Sequence, residues 1–149
     1  MIWLHGAAGS GKSTIATSIE DYFCGMYQLG AYLRFERGKS DPTSVIRELA
    51  FSLAKFDPRI GSNILERIKK DMNIASALLS CQFAELLLHP LNDFMTSQPE
   101  SARDQEVVII VIDAQDECGT PDNWKDLMHL LRGDFGKLPP IFRFLITSR

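Results

Sequence analysis

One run of eight residues, Gly6-Ala7-Ala8-Gly9-Ser10-Gly11-Lys12-Ser13, constrains this chain more than any other stretch. It fits the phosphate-loop pattern G-x-x-x-x-G-K-[ST] at every position. Glycine at 6, 9 and 11 lets the backbone turn through positive φ and bring its N–H groups close to an anion. Lys12 supplies a point charge for the β- and γ-phosphates, and the Ser13 hydroxyl is a ligand for Mg²⁺. A helix starting near Lys12 would turn its positive end toward the same anion. The expected nucleotide-binding set is therefore Gly6, Ala7, Ala8, Gly9, Ser10, Gly11, Lys12, Ser13 and the adjoining Thr14. The pattern requires a strand before it and a helix after it. Ile2-Trp3-Leu4-His5 is a short, mostly apolar lead-in, and Ile15, Ala16, Ile19 and Phe23 recur at helical spacing.

Composition narrows the setting. With 149 residues, 45% hydrophobic and 23% charged, the chain suits one soluble domain with a core of its own. A net charge of −3 argues against a nucleic-acid surface. Cys24, Cys81 and Cys118 are too widely spaced for a metal or redox motif. They read as small buried side chains in a reducing, cytoplasmic compartment. The start runs straight into the phosphate loop, with no signal peptide expected, and no apolar run approaches the length of a membrane span.

The first helix is expected over residues 12–23, with Gly25 near its end, and a strand near a sheet edge over residues 31–36. Asp41-Pro42 reads as an N-cap followed by proline at the first helical position. Three helices should follow. One carries Val45, Ile46, Leu49, Ala50 and Leu53, and the next carries Ile60, Ile64, Leu65 and Ile68. The third runs over residues 74–89, where His89-Pro90 should end or bend it. Residues 95–106 are polar and read as a loop.

Val107-Val108-Ile109-Ile110-Val111-Ile112 is a run of six β-branched residues, the pattern of a parallel strand buried on both faces. A helix opening at Pro121 and a last strand over residues 142–148 complete the alternation. Strands alternating with helices predict an α/β fold: a P-loop three-layer sandwich with a mainly parallel sheet and right-handed crossovers.

The buried strand runs into Asp113-Ala114-Gln115-Asp116-Glu117. An acid at the C-terminal end of a parallel strand faces the crevice where such sheets bind ligands. Asp113 is thus the expected holder of Mg²⁺, and Asp116 and Glu117 are candidates to orient or deprotonate an attacking water. Arg149 follows the last strand and is placed to reach a γ-phosphate if that strand lies beside the first, with Thr147 and Ser148 as possible donors there. His5, His89 and His129 read as isolated structural residues, and Trp3 and Trp124 as packing.

Three segments together resemble a known family: residues 3–14, then Ile112-Asp113-Ala114-Gln115-Asp116-Glu117-Cys118-Gly119, then Leu145-Ile146-Thr147-Ser148-Arg149. They resemble the NACHT-type NTPases of the STAND class, and more narrowly fungal NACHT proteins with a nephrocystin-3-like N-terminal nucleotide domain. Many P-loop ATPases place glutamate directly after the magnesium aspartate. Here Ala114 stands there, and the acids follow as Asp116 and Glu117, as in the NACHT pattern. The resemblance implies a sheet in which the sensor strand separates the Asp113 strand from the first strand, with Arg149 as the sensor arginine. It also implies a nucleotide-dependent switch with downstream repeat domains and homo-oligomeric assembly in a longer protein, of which residues 1–149 would be a piece ending after the sensor strand.

The ligands expected are ATP or ADP with Mg²⁺. No Asn-Lys-x-Asp guanine signature occurs, which favours adenine while leaving GTP open. Two other readings compete with a slow NTPase switch: a non-catalytic module that nucleotide only holds together, and a small-molecule kinase. No lid-like basic segment supports the kinase.

Overall fold

The computed structural model describes residues 1–35, 41–99, 107–113 and 121–148, with side chains from 125 onward in the last of these. Four strands form one sheet: β1 (Ile2–His5), β2 (Leu29–Arg34), β3 (Val108–Asp113) and β4 (Phe142–Ser148). Their order is β1-β4-β3-β2 and every neighbouring pair is parallel. The expected α/β fold is present, and β4 does lie between the first strand and the Asp113 strand. Among the described residues β1 and β2 are the sheet's edges. The strand predicted near an edge is therefore β2, displaced two residues toward the N-terminus.

Parallel strands need crossovers, and helices supply them. Helix α1 (Lys12–Gly25) links β1 to β2. Between β2 and β3 run α2 (Val45–Phe56), α3 (Pro58–Lys70), α4 (Leu79–Phe83) and α5 (His89–Ser97). Helix α6 (Pro121–Gly133) precedes β4. Capping chemistry sets several starts. The Asp41 carboxylate accepts from the Thr43 amide, opening a short 3₁₀ turn (Pro42–Ser44) that leads into α2. The Asp57 carboxylate accepts from the Arg59 amide at the start of α3, with Pro58 following as the residue that lacks an N–H to satisfy.

The third helix departs from expectation. Residues 74–76 form a separate 3₁₀ turn, and a continuous helical stretch begins at Leu79 and runs through Pro90 to Ser97. Proline inside a helix clashes with the carbonyl four residues back. Here a π-helical turn (Ala84–Leu88) precedes it and widens the coil at that carbonyl, so the helix is neither ended at Pro90 nor lost until after residue 97. The loop expected from residue 95 accordingly starts later.

Alternation along the strands divides the core. Ile110, Ile112, Phe144 and Ile146 face the layer made by α2 to α6, where Ile46, Leu49, Leu53, Ile60, Leu87, Leu91, Leu127 and Leu131 are fully buried. Phe135 links this layer to the sheet, stacking on Phe83 at 5.2 Å and meeting Phe144 edge-on at 5.0 Å. Gly30 on β2 allows close approach: a Cβ there would stand 2.4 Å from Val108 Cγ1 and 3.0 Å from Leu53 Cδ2. Val111 and Leu145 point to the opposite face, against Ala16 of α1. The expectation of buried cysteines fails at Cys24 and Cys81, both exposed. Helix phase decides, since α1 turns Ala16 inward and α4 turns Gln82 and Phe83 inward, leaving the thiols outside. Cys118 lies outside the described residues. No helix among the described residues is long and apolar enough to cross a membrane.

Candidate functional site

The C-terminal ends of β1, β3 and β4 meet in space, and the loop of residues 6–11 spans the gap between β1 and α1. Gly9 and Gly11 take φ of 78° and 85°, a region where a side chain is strained. A Cβ on Gly6 would stand 3.1 Å from Ser10 Oγ. Gly11 precedes α1 in a left-handed conformation, with no side-chain cap and no acid in the first turn. The first-turn amides of a helix have no partner within it, so this 14-residue helix presents an uncompensated positive end at the loop. Lys12 folds over the same loop, its ammonium donating to the carbonyls of Gly6 at 2.6 Å and Ala7 at 2.8 Å. Ala7, Ala8, Gly9, Ser10 and Gly11 are exposed, so the cradle is open to solvent.

The second half of the site is Asp113, wholly buried at the end of β3. Its Oδ1 accepts from Ser13 Oγ at 3.2 Å and from Thr147 Oγ1 at 2.5 Å. Its Oδ2 is buried with no hydrogen-bond donor among the described residues. A desolvated carboxylate oxygen without a donor is costly, and a cation brought to it would offset that cost. Among the described residues, the cation within ion-pair distance is Arg34 at the end of β2, with Nε 4.0 Å from Oδ2. No group of three or more His, Cys, Asp or Glu side chains able to hold a metal occurs among the described residues. A divalent ion here would draw Asp113 and Ser13 from the described protein and take its other ligands from phosphate oxygens and water. Mg²⁺ is commonly bound in that way, and the donor set fits it.

Ser148 joins β1 to β4 beside the loop. It accepts from Trp3 Nε1 at 2.9 Å and lies 2.7 Å from His5 Nδ1. His5 is thus a partnered structural residue, as expected. Trp3 does more than pack: it also bonds Ser148 and lies 5.5 Å from the Arg132 guanidinium of α6. The sequence placed the loop, Lys12, Ser13 and Asp113 in one site, and the fold brings them together. It did not signal that Thr147 bonds Asp113 or that Arg34 stands beside it, because both depend on strand register. Asp116, Glu117 and Arg149 lie outside the described residues, as does Ala114.

The family model described as Nephrocystin 3, N-terminal matches residues 1–149. The chain belongs to this family. No curated protein and no solved structure matches it. The nephrocystin 3 N-terminal match spans both halves of the site, the loop at residues 6–13 and Asp113.

Proposed function

We propose that this domain binds a purine nucleoside triphosphate with Mg²⁺, ATP in preference to GTP, and hydrolyses it slowly as a signalling switch of the NACHT type within the STAND class. The observation that carries the reading is the convergence of the phosphate-loop pattern on a buried acid, with Ser13 Oγ 3.2 Å from Asp113 Oδ1. Gly6 to Gly11 and the α1 N-terminus would hold the phosphates through backbone amides, with Thr14 in the same first turn. Lys12 would exchange its loop carbonyls for phosphate oxygens. Ser13 and Asp113 would hold Mg²⁺, which when bound neutralises charge on the phosphates. Thr147 holds the Asp113 carboxylate in place.

Beyond the described residues, Asp116 and Glu117 are proposed to orient or deprotonate the attacking water, and Arg149 to contact the γ-phosphate. Stabilisation by positioning and charge accounts for most of phosphoryl transfer, so these roles suffice for slow turnover. ATP and ADP would be alternative ligands of the two switch states. Downstream repeat domains, a homo-oligomer and a cytoplasmic setting belong to the same proposal.

The test is calorimetric titration of Mg²⁺–ADP, Mg²⁺–ATP and Mg²⁺–GTP into the 149-residue chain beside Lys12→Ala. Loss of a charge-assisted contact should weaken adenine nucleotide binding by about 10- to 100-fold. Equal affinity in the mutant, or no binding by the folded wild type, rejects the reading.

A further inference from the structure

Asp113 sits at the end of β3 with its two oxygens in different circumstances. Oδ1 is held by Ser13 and Thr147, from two separate elements, while Oδ2 is buried without a donor among the described residues. Arg34 faces it by register. Arg34 and Asp113 are directly paired across the parallel β2–β3 ladder, and the Phe35 amide donates to the Asp113 carbonyl at 3.0 Å. The backbone therefore fixes the neighbourhood of the two side chains, and the guanidinium needs only a rotamer to come nearer than its present 4.0 Å. The Arg34 side chain is 61% exposed while that of Asp113 is 0% exposed. The cation can thus leave for solvent, and the anion cannot.

We propose that Arg34 is the resident counter-cation of Asp113 and competes with the divalent ion for the field of Oδ2, so that this residue sets how strongly nucleotide binding depends on the cation. The inference rests on the nucleotide reading above and deepens it. The physical basis is simple electrostatics. A buried carboxylate is costly to leave unpaired, so a mobile cation at hand lowers that penalty. The same cation opposes a second positive charge a few ångströms away. Arginine suits this role because it keeps its charge at any working pH. With no divalent ion, Arg34 offsets the repulsion between Asp113 and an incoming phosphate. When the ion arrives at Oδ2, Arg34 swings outward.

Two measurements on the 149-residue chain test this. The first needs no nucleotide. Free Mn²⁺ is followed by electron paramagnetic resonance during titration of wild type, Arg34→Gln, Arg34→Lys and Asp113→Asn. Because Arg34 is largely exposed, the coupling should lie at the low end of the usual range, with Arg34→Gln binding Mn²⁺ about fivefold more tightly than wild type. Arg34→Lys should stay near wild type, and Asp113→Asn should remove the difference in either background. Mn²⁺ affinity that is equal in wild type and Arg34→Gln, or undetectable in both, overturns the proposal.

The second measurement is the ratio of ADP dissociation constants in EDTA and in Mg²⁺, which should rise about fivefold in Arg34→Gln. An unchanged ratio also overturns it. If wild type binds no nucleotide at all, the nucleotide reading fails while the Mn²⁺ comparison still decides the role of Arg34.

Discussion

On one face of the sheet, Ile110, Ile112, Phe144 and Ile146 lie beneath five helices of the described residues, α2 to α6, and a continuous set of fully buried aliphatic side chains. On the other, Val111 and Leu145 meet Ala16 of α1, with Leu4, Ile19, Leu29, Tyr32 and Ile109 only partly covered. The site is shared between these unequal halves. Asp113 and Thr147 sit on β3 and β4, the strands at the centre of the sheet, which the thick layer braces. Lys12 and Ser13 sit on α1, the one helix among the described residues that packs on the thin side. Ser13 Oγ to Asp113 Oδ1 is the hydrogen bond across the divide. The difference teaches that the acid is the fixed half of the site and the phosphate loop the lightly held half. A ligand binding both would tie α1 to the sheet.

The largest expected effect comes from the thick side. Leu49 of α2 is fully buried in the core on this side, and Leu49→Ala should lower unfolding free energy in urea by about 3 kcal/mol. On the thin side Ile19 is half-buried, and Ile19→Ala should lower it by about 1 kcal/mol. Equal losses would break the comparison. Native-state hydrogen exchange sharpens it without mutation: the amides of α1 should open at a free energy about 1–2 kcal/mol below those of α2. Mg²⁺–ADP, if bound as proposed, should close much of that gap, since a ligand stabilises the elements that contact it.

Much of this inequality could not be seen before the fold. The local signals are strong: the glycine spacing of residues 6–11, the β-branched run leading into Asp113, and the Asp-Pro cap at residues 41–42 all mark the elements they predict. Each of these acts within a few residues. The misses are non-local. His89-Pro90 reads as a place where the helix ends or bends, and that the helix instead continues to Ser97 through a π turn is settled where Leu86, Leu87 and Leu91 are buried. Cys24 and Cys81 read as buried from the average habit of cysteine, which helix phase overrode. Thr147 reads as a possible donor near a γ-phosphate, but its bond to Asp113, and the place of Arg34 beside the same carboxylate, come from register across β3, and no spacing within the chain encodes a register. Likewise, the apolar run of residues 107–112 says that both faces of that strand are covered but not by how many helices.

Acid should narrow the contrast, because carboxylates on the two sides are shifted in opposite directions. On the thick side, the side-chain hydrogen bond from Arg59, assisted by backbone N–H donors, holds Asp57 below its ordinary value of 3.8. Asp41 is lowered as well, chiefly by its bonds to Thr43. A carboxyl whose folded value is depressed contributes stability in full above its unfolded value, and that contribution is lost as pH falls through the folded one. On the thin side, desolvation and then the neighbouring Asp21 raise Glu20 above its ordinary 4.5. The sign there is reversed: the charged form is the one folding disfavours, so α1 gains stability as pH falls through the raised value and has gained it all by about pH 4.

Urea unfolding as a function of pH separates the two. Asp57→Ala should cost about 1 kcal/mol at pH 7 through loss of the α3 cap, with the penalty fading below about pH 4. Glu20→Gln should stabilise by only a few tenths of a kcal/mol at pH 7 and be neutral near pH 4, since the substitution removes a charge that acid would remove anyway. A penalty for Asp57→Ala that persists unchanged in acid would mean that the cap acts through geometry alone. A Glu20→Gln chain no more stable than wild type at neutral pH would mean that α1 sits on the thin side without electrostatic strain, and the difference between the two faces would then be one of packing only.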